Sequence, residues 1–171
     1  IYEKLASFSN IIETACLLHD IGNPPFGHLG EAAIQKWFKD KNEELNEDSQ
    51  YYDLPYFDGN AQGLRLVSFL NGEDIVGLNL TSTTLLSMVK YPKILGEGEK
   101  KAKGIYRHDF KFCYENSCKE LQWEPGKVFP FAILMETADD IAYCTSDLED
   151  GLEKGVIKER SEEHTSELQS R

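Results

Sequence analysis

The stretch Leu17-Leu18-His19-Asp20-Ile21-Gly22-Asn23-Pro24-Pro25-Phe26-Gly27-His28-Leu29-Gly30-Glu31 decides how the chain is read. An apolar run delivers an adjacent His-Asp pair to a helix end, a Gly/Pro turn follows, and a second His and a Glu open the next helix. Upstream, Phe8, Ile11, Ile12, Ala15 and Leu18 recur at helical spacing. That spacing predicts a core-facing helix from about Ser7 to Asp20, stopped at Gly22, with Pro24 barring continuation. A charge at a buried helix end needs a partner. Neutral imidazole and carboxylate both ligate divalent cations, and a cation would offset the cost of burying Asp20. The alternative is local: His19 caps the last carbonyls and Asp20 caps the following turn.

Working outward, Glu31 to about Lys39 continues as a short helix with Ile34, Trp37 and Phe38 on its apolar side, and the acidic run Asp40 to Asp53 reads as a surface loop or frayed helix. Asn60 is placed as the N-cap of a helix over Ala61 to Leu70, closed by Asn71-Gly72. Thr81 or Ser82 caps a helix over Thr83 to Tyr91, with Leu85, Leu86 and Val89 inward and Pro92 as its stop. Lys93 to Lys103, broken by Gly96 and Gly98, reads as a mobile loop, and Ile105 to Pro125 has no legible period. The longest helix is predicted from about Phe129 to Lys154, ended by Gly155. Strand-like alternation is sparse, so the fold class is all-α.

On that last helix Asp139, Tyr143 and Asp147 are four residues apart and share a face, with Ile133, Leu134, Ile141 and Leu148 expected to pack around it. Glu136, Asp139 and Asp140 crowd like charges that repel unless a cation or base is near. Either they line a solvated edge or one of them ligates a metal.

The 171 residues carry 18 Lys and Arg against 30 Asp and Glu, a formal charge of -12 that argues against a broad nucleic-acid footprint, although a local basic pocket can exist on an acidic protein. Cys16, Cys113, Cys118 and Cys144 form no CxxC pair; Cys16 and Cys144 fall in predicted helices and are expected to be buried thiols. The expected setting is reducing and cytoplasmic, and no targeting or membrane segment is read. Asn79-Leu80-Thr81 matches a glycosylation sequon by chance.

Two later stretches, Phe57-Asp58-Gly59-Asn60-Ala61-Gln62-Gly63 and Glu136-Thr137-Ala138-Asp139-Asp140-Ile141-Ala142-Tyr143, stand in order behind the first motif. With it they resemble the HD-domain phosphohydrolases, specifically the deoxyguanosinetriphosphate triphosphohydrolase (dGTPase) family, which usually has Glu where this chain has Asp58. The resemblance spans about residues 1 to 157 and implies an HD-domain helical bundle, here partial. Family members are longer and this chain opens at Ile1, so it is expected to be truncated at both ends.

By motif position, the resemblance implies metal ligands His19, Asp20 and Asp139, with a further His on a helix upstream of Ile1. It implies His28 and Glu31 as the catalytic pair near the triphosphate. Asn60, Lys90, Lys101, Lys103, Tyr143 and Asp147 would meet substrate, the last two facing the deoxyribose. Spacing across Lys100 to Gly104 departs from the family pattern, so Lys101 and Lys103 are both carried. The implied cofactor is a divalent metal, Mn or Mg. The implied reaction is hydrolysis of a deoxynucleoside triphosphate (dNTP), dGTP foremost, to deoxynucleoside and inorganic triphosphate. Each position has a plainer reading: Lys90 a solvated helix end, Tyr143 a core aromatic, Asn60 only a cap.

Two other functions compete. Another HD-type nucleotidase or phosphodiesterase would share His19, Asp20 and Asp139 without needing the Asn-Pro-Pro-Phe-Gly-His or Gly-Asn-Ala-Gln runs. A non-catalytic HD regulatory module would be signalled by loss of the metal residues. The resemblance also implies a homo-oligomer, a hexamer, and leaves room for a single-stranded DNA effector that the acidic composition does not support. No membrane partner is expected.

Residues 160–171 are set apart. Arg160-Ser161-Glu162-Glu163-His164-Thr165-Ser166-Glu167-Leu168-Gln169-Ser170 is similar to the translation of a common sequencing-library adapter and is read as non-native. Residues 1–159 remain as the partial HD phosphohydrolase domain, expected to be inactive and poorly folded without the upstream His.

Overall fold

The computed structural model describes residues 2–41, 53–71, 76–96 and 103–157. Among them the regular structure is helical, and one isolated parallel bridge, Ile94 with Ile105, is the only strand-like pairing. The expected all-α class holds. The chain divides into two compact units, Ile1–Glu136 and Thr137–Arg171.

In the first unit α1 (Tyr2–Leu18) begins earlier than its apolar spacing suggests and ends sooner. Ala15 is its buried residue, while Phe8 is 38% exposed and meets Phe131 edge-on at 5.0 Å. Beyond Leu18 the chain leaves the helix through successive turns, with Ile21 N–H donating to the Leu18 carbonyl and Asn23 N–H to that of Asp20. α2 (Gly27–Asp40) opens one residue before His28, close to the expected opening by His28 and Glu31. Phe26 (φ 67°) and Gly27 (φ 52°) both adopt left-handed backbone, which turns the chain and places His28 inside the first helical turn.

α3 (Gly59–Arg65) is capped by Asp58, not by Asn60: the Asp58 side chain accepts from the Asn60 and Ala61 amides. Either residue type serves as an N-cap, and the extended backbone of Asp58 decides between them. After Arg65 the helix widens into a π turn, Leu66–Leu70. α4 (Ser82–Ser87) has the expected Thr81 cap, with the Thr81 hydroxyl accepting from Thr84 N–H, but stops short of Tyr91. The stretch without legible period is helical: α5 (Arg107–Asp109), a π turn Phe110–Tyr114 and α6 (Glu115–Glu120) follow one another. A change of helical pitch part-way along blurs the apolar period that a uniform helix would show.

Leu64, Leu86, Val89, Ile105, Cys113, Tyr114 and Cys118 form the main core, and Ala15, Val67, Met88 and Met135 a second cluster beneath α1. The expected mobile loop is pinned at both described ends: Leu95 N–H donates to the Ile105 carbonyl and Ile105 N–H to that of Lys93, each at 2.8 Å. Lys101 lies outside the described residues, as do His164 and the whole of 160–171.

A buried ion pair ties α3 to α5. Arg65 Nε lies 2.9 Å from Asp109 Oδ2 and its Nη2 3.4 Å from Oδ1, with Asp109 fully buried and the guanidinium stacked 3.9 Å over the Tyr106 ring. Asp53, at the end of the supposed surface loop, is buried as well, and its Oδ2 accepts from Arg107 N–H at 3.2 Å. Burial pushes the Asp53 carboxyl above its ordinary 3.8, against the opposing pull of Arg65.

α7 (Pro130–Glu153) closely matches its expected span. Its packing does not match. Ile141 and Leu148 are 62% and 56% exposed, Tyr143 is exposed rather than a core aromatic, and Cys144 is exposed rather than buried. Within the second unit the turn after α7 folds back, with Val156 and Ile157 N–H donating to the Gly151 carbonyl. Ile133 and Leu134, in the first unit, are likewise exposed. Cys16 is half-buried; Cys113 and Cys118 are buried, and burial raises both thiols, which suits inert core cysteines. Among the described residues no helix is long and apolar enough to cross a membrane.

Asp109→Ala leaves the Arg65 charge uncompensated and should cost about 3–5 kcal/mol in urea unfolding. Native Asp53 holds its proton more tightly than the unfolded chain does, so its stabilising contribution is complete below the ordinary 3.8 and is lost as pH rises through the native value. Asp53→Asn should therefore gain stability over wild type as pH is raised from about 4 toward neutrality, read as diverging urea midpoints.

Candidate active site

The end of α1 presents the first pair. His19 Nδ1 lies 2.7 Å from the Cys16 carbonyl oxygen, so Nδ1–H is the donor and Nε2 carries the lone pair. Nε2 is 3.5 Å from Asp20 Oδ2, with the imidazole nearly buried and the carboxylate half exposed. In the neutral ring these are two acceptors facing each other, which a divalent cation or a proton would reconcile. The backbone hydrogen bond that fixes the tautomer is the usual support for a metal-ligating imidazole. The donor set fits a borderline or hard divalent ion. Among the described residues no cluster of three or more His, Cys, Asp or Glu side chains is assembled.

Eight residues on, the second pair is built by α2. His28 is exposed, and its Nδ1 lies 3.0 Å from Glu31 Oε2 across one helical turn. Glu31 is largely buried, and its other oxygen accepts from Gly59 N–H at 2.8 Å. One carboxylate thus holds the imidazole on one side and the start of α3 on the other. Gln35, one turn further along α2, donates to the Phe57 carbonyl at 2.7 Å and fastens the same segment.

Two glycines allow this junction. A Cβ on Gly22 would overlap the Gly63 amide nitrogen and the Gly59 carbonyl oxygen, and a Cβ on Gly59 would overlap Asn23 Oδ1 and crowd Glu31 Oε1. The turn after His19-Asp20 and the first turn of α3 therefore meet backbone to backbone.

Asn60 and Lys90, far apart in sequence, line one small cavity of about 10 Å³ with Tyr91, Gly104 and Ile105, room for about one water. Lys103 is exposed and its Nζ sits 5.4 Å from the centre of the Tyr91 ring, at the edge of the same region. The first unit thus gathers His19 with Asp20, His28 with Glu31, and Asn60 with Lys90. Asp139, half-buried, and the exposed Tyr143 and Asp147 stand on α7 within the second unit.

An HD domain family model matches residues 1–67, which hold both His pairs and the Gly59–Gly63 turn. Over 161 residues, 86% of this chain and 35% of the relative, the chain is 41% identical to a deoxyguanosinetriphosphate triphosphohydrolase-like protein of Listeria monocytogenes. It is 37% identical to a deoxyguanosinetriphosphate triphosphohydrolase of Enterobacter, covering 91% of this chain and 37% of that protein. It is 36% identical to a probable deoxyguanosinetriphosphate triphosphohydrolase of Pseudomonas aeruginosa, with 88% and 34% covered. Residues 1–67 thus match the HD domain family, and most of the chain is similar to part of the dGTPases. The chain spans about a third of the length of the curated relatives it matches.

Sequence reasoning did not single out the supports of this candidate site: Asn23 and Gly22 against α3, Gln35 on Phe57, and Asp58 as the true cap. Gly59 and Gly63 stand inside a motif that was legible as a string, but the close backbone approach that requires them is a tertiary fact. Gly22→Ala, on this geometry, should cost about 2 kcal/mol or more in urea unfolding, because backbone atoms cannot step aside as a side chain can.

Proposed function

We propose that the full-length protein is a metal-dependent dNTP triphosphohydrolase that converts dGTP to deoxyguanosine and inorganic triphosphate. The observation that carries this reading is the relay from Gly59 N–H through Glu31 to His28, built beside the turn that follows His19-Asp20. The names borne by the relatives supply the substrate class.

In this reading His19, Asp20 and Asp139 hold the divalent ion, Mn or Mg, which when bound polarises a phosphate oxygen. Water attacks the α-phosphorus: the new O–P bond forms as the bond from phosphorus to the sugar 5′ oxygen breaks, and that oxygen leaves with a proton. Glu31 keeps Nδ1–H of His28 in place, so Nε2 is the atom that exchanges the proton with water or the leaving oxygen. Lys90, with Lys101 and Lys103, neutralises charge gathering on the departing triphosphate. Asn60 contacts substrate beside Lys90, Tyr143 packs beneath the deoxyribose and excludes a 2′-hydroxyl, and Asp147 meets the sugar. Assembly as a homo-oligomer, a hexamer, and a cytoplasmic setting belong to the same reading.

Phosphorus NMR of the full-length protein with dGTP and Mn or Mg tests it. Free triphosphate should appear, and His28→Ala should slow its release about a hundredfold or more. Pyrophosphate or orthophosphate as the first product would overturn the reading.

A further inference from the structure

Asp58 is buried, and its Oδ1 accepts three hydrogen bonds: from Asn60 N–H at 2.9 Å, Asn60 Nδ2 at 3.1 Å and Ala61 N–H at 3.3 Å. On one side of it the Phe57 carbonyl is held by Gln35; on the other, Gly59 N–H is held by Glu31. Residues 57–61 thus form a short clamp whose one end lies on α2 and whose other end lines the Lys90 cavity. One N–H of Asn60 Nδ2 is committed to Asp58, which fixes the plane of the carboxamide and leaves its second N–H as a donor and its carbonyl oxygen as an acceptor. An acceptor reads a hydroxyl or an ammonium, not a phosphate oxygen.

We propose that Asp58 is a positioning residue: its one oxygen sets Gly59 N–H against Glu31 and turns Asn60 so that its carbonyl oxygen faces a donor, a sugar hydroxyl of the substrate. The His28–Glu31 pair and the Asn60–Lys90 cavity are thereby registered by a single buried carboxylate. The proposal rests on the triphosphohydrolase reading above. What Asp58 supplies is acceptor geometry and not charge, since all three donors are neutral groups and asparagine is as good an N-cap as aspartate.

The test uses the full-length protein with dGTP, following triphosphate release for wild type, Asp58→Ala, Asp58→Asn, Glu31→Gln and the Asp58→Ala/Glu31→Gln pair. Asp58→Ala should lower kcat about tenfold or more, and Asp58→Asn should stay within about threefold of wild type. Added to Glu31→Gln, Asp58→Ala should cost clearly less than the two single losses combined, because the part of its effect that passes through Glu31 to the imidazole is already lost while the part that passes through Asn60 remains. A merely structural role would lower the unfolding midpoint and leave the kcat of folded enzyme unchanged. Equal loss in Asp58→Asn and Asp58→Ala, or full additivity with Glu31→Gln, would overturn the proposal. Hydrogen exchange supplies a readout independent of turnover: the Gly59 amide should exchange about tenfold faster in Asp58→Ala and not in Asp58→Asn. Unchanged Gly59 protection sinks the inference even with an active enzyme. An inactive wild type in which Gly59 responds as expected removes the reaction and keeps the positioning role.

Discussion

The site depends on a place where two stretches of backbone touch with no side chain between them. Gly22, in the turn after His19-Asp20, lies against the Gly59 carbonyl and the Gly63 amide, and neither Gly22 nor Gly59 has room for a Cβ. Close approach of this kind leaves little freedom to slide, because backbone cannot relax as a rotamer can. It fixes the distance between the end of α1 and the start of α3. From that fixed distance follow the reach of Glu31 to Gly59 N–H, the orientation of His28 and the placement of Asn60 beside Lys90.

Electrostatics act on the same frame. A chain with a formal charge of -12 would repel a triphosphate at long range, so cations must be gathered locally. Lys90 lines the Asn60 cavity with Tyr91, and Lys103 Nζ lies 5.4 Å from the centre of the Tyr91 ring. The Arg65–Asp109 pair joins α3 to α5, with Asp109 and Tyr106 fully buried and Arg65 partly exposed. Arg65 serves structure there, since its Nε and Nη2 bond Asp109 and its face lies over Tyr106.

The candidate site residues were picked from the sequence on identity and local order, and the structure pairs His19 with Asp20 and His28 with Glu31. His19-Asp20 before a Gly/Pro turn, His28 one helical turn before Glu31, the Thr81 cap and the span of α7 all follow from local rules. Three features escaped those rules for separate reasons. The left-handed backbone of Phe26 that turns the chain into α2 is rare for that residue type and has no signature in the sequence. α3 took Asp58 as its cap because two good capping residues stand two positions apart and only backbone geometry chooses. The helical run from Arg107 to Glu120 was hidden by its π turn at Phe110–Tyr114. Amphipathic spacing also marks a face without saying what covers it, so Ile141, Tyr143 and Leu148 lay on or around the expected face of α7 yet are exposed. The pairing of Arg65 with Asp109 spans 44 residues and has no local signature.

The central claim is that this frame directs water to the α-phosphorus of a deoxynucleoside triphosphate. Hydrolysis by the full-length protein in oxygen-18 water tests it most directly, with mass spectrometry locating the label. The account predicts one labelled oxygen in the released triphosphate, on the phosphorus that had carried the sugar, and none in the deoxynucleoside. Label in the deoxynucleoside, or in orthophosphate or pyrophosphate released in place of triphosphate, would contradict it.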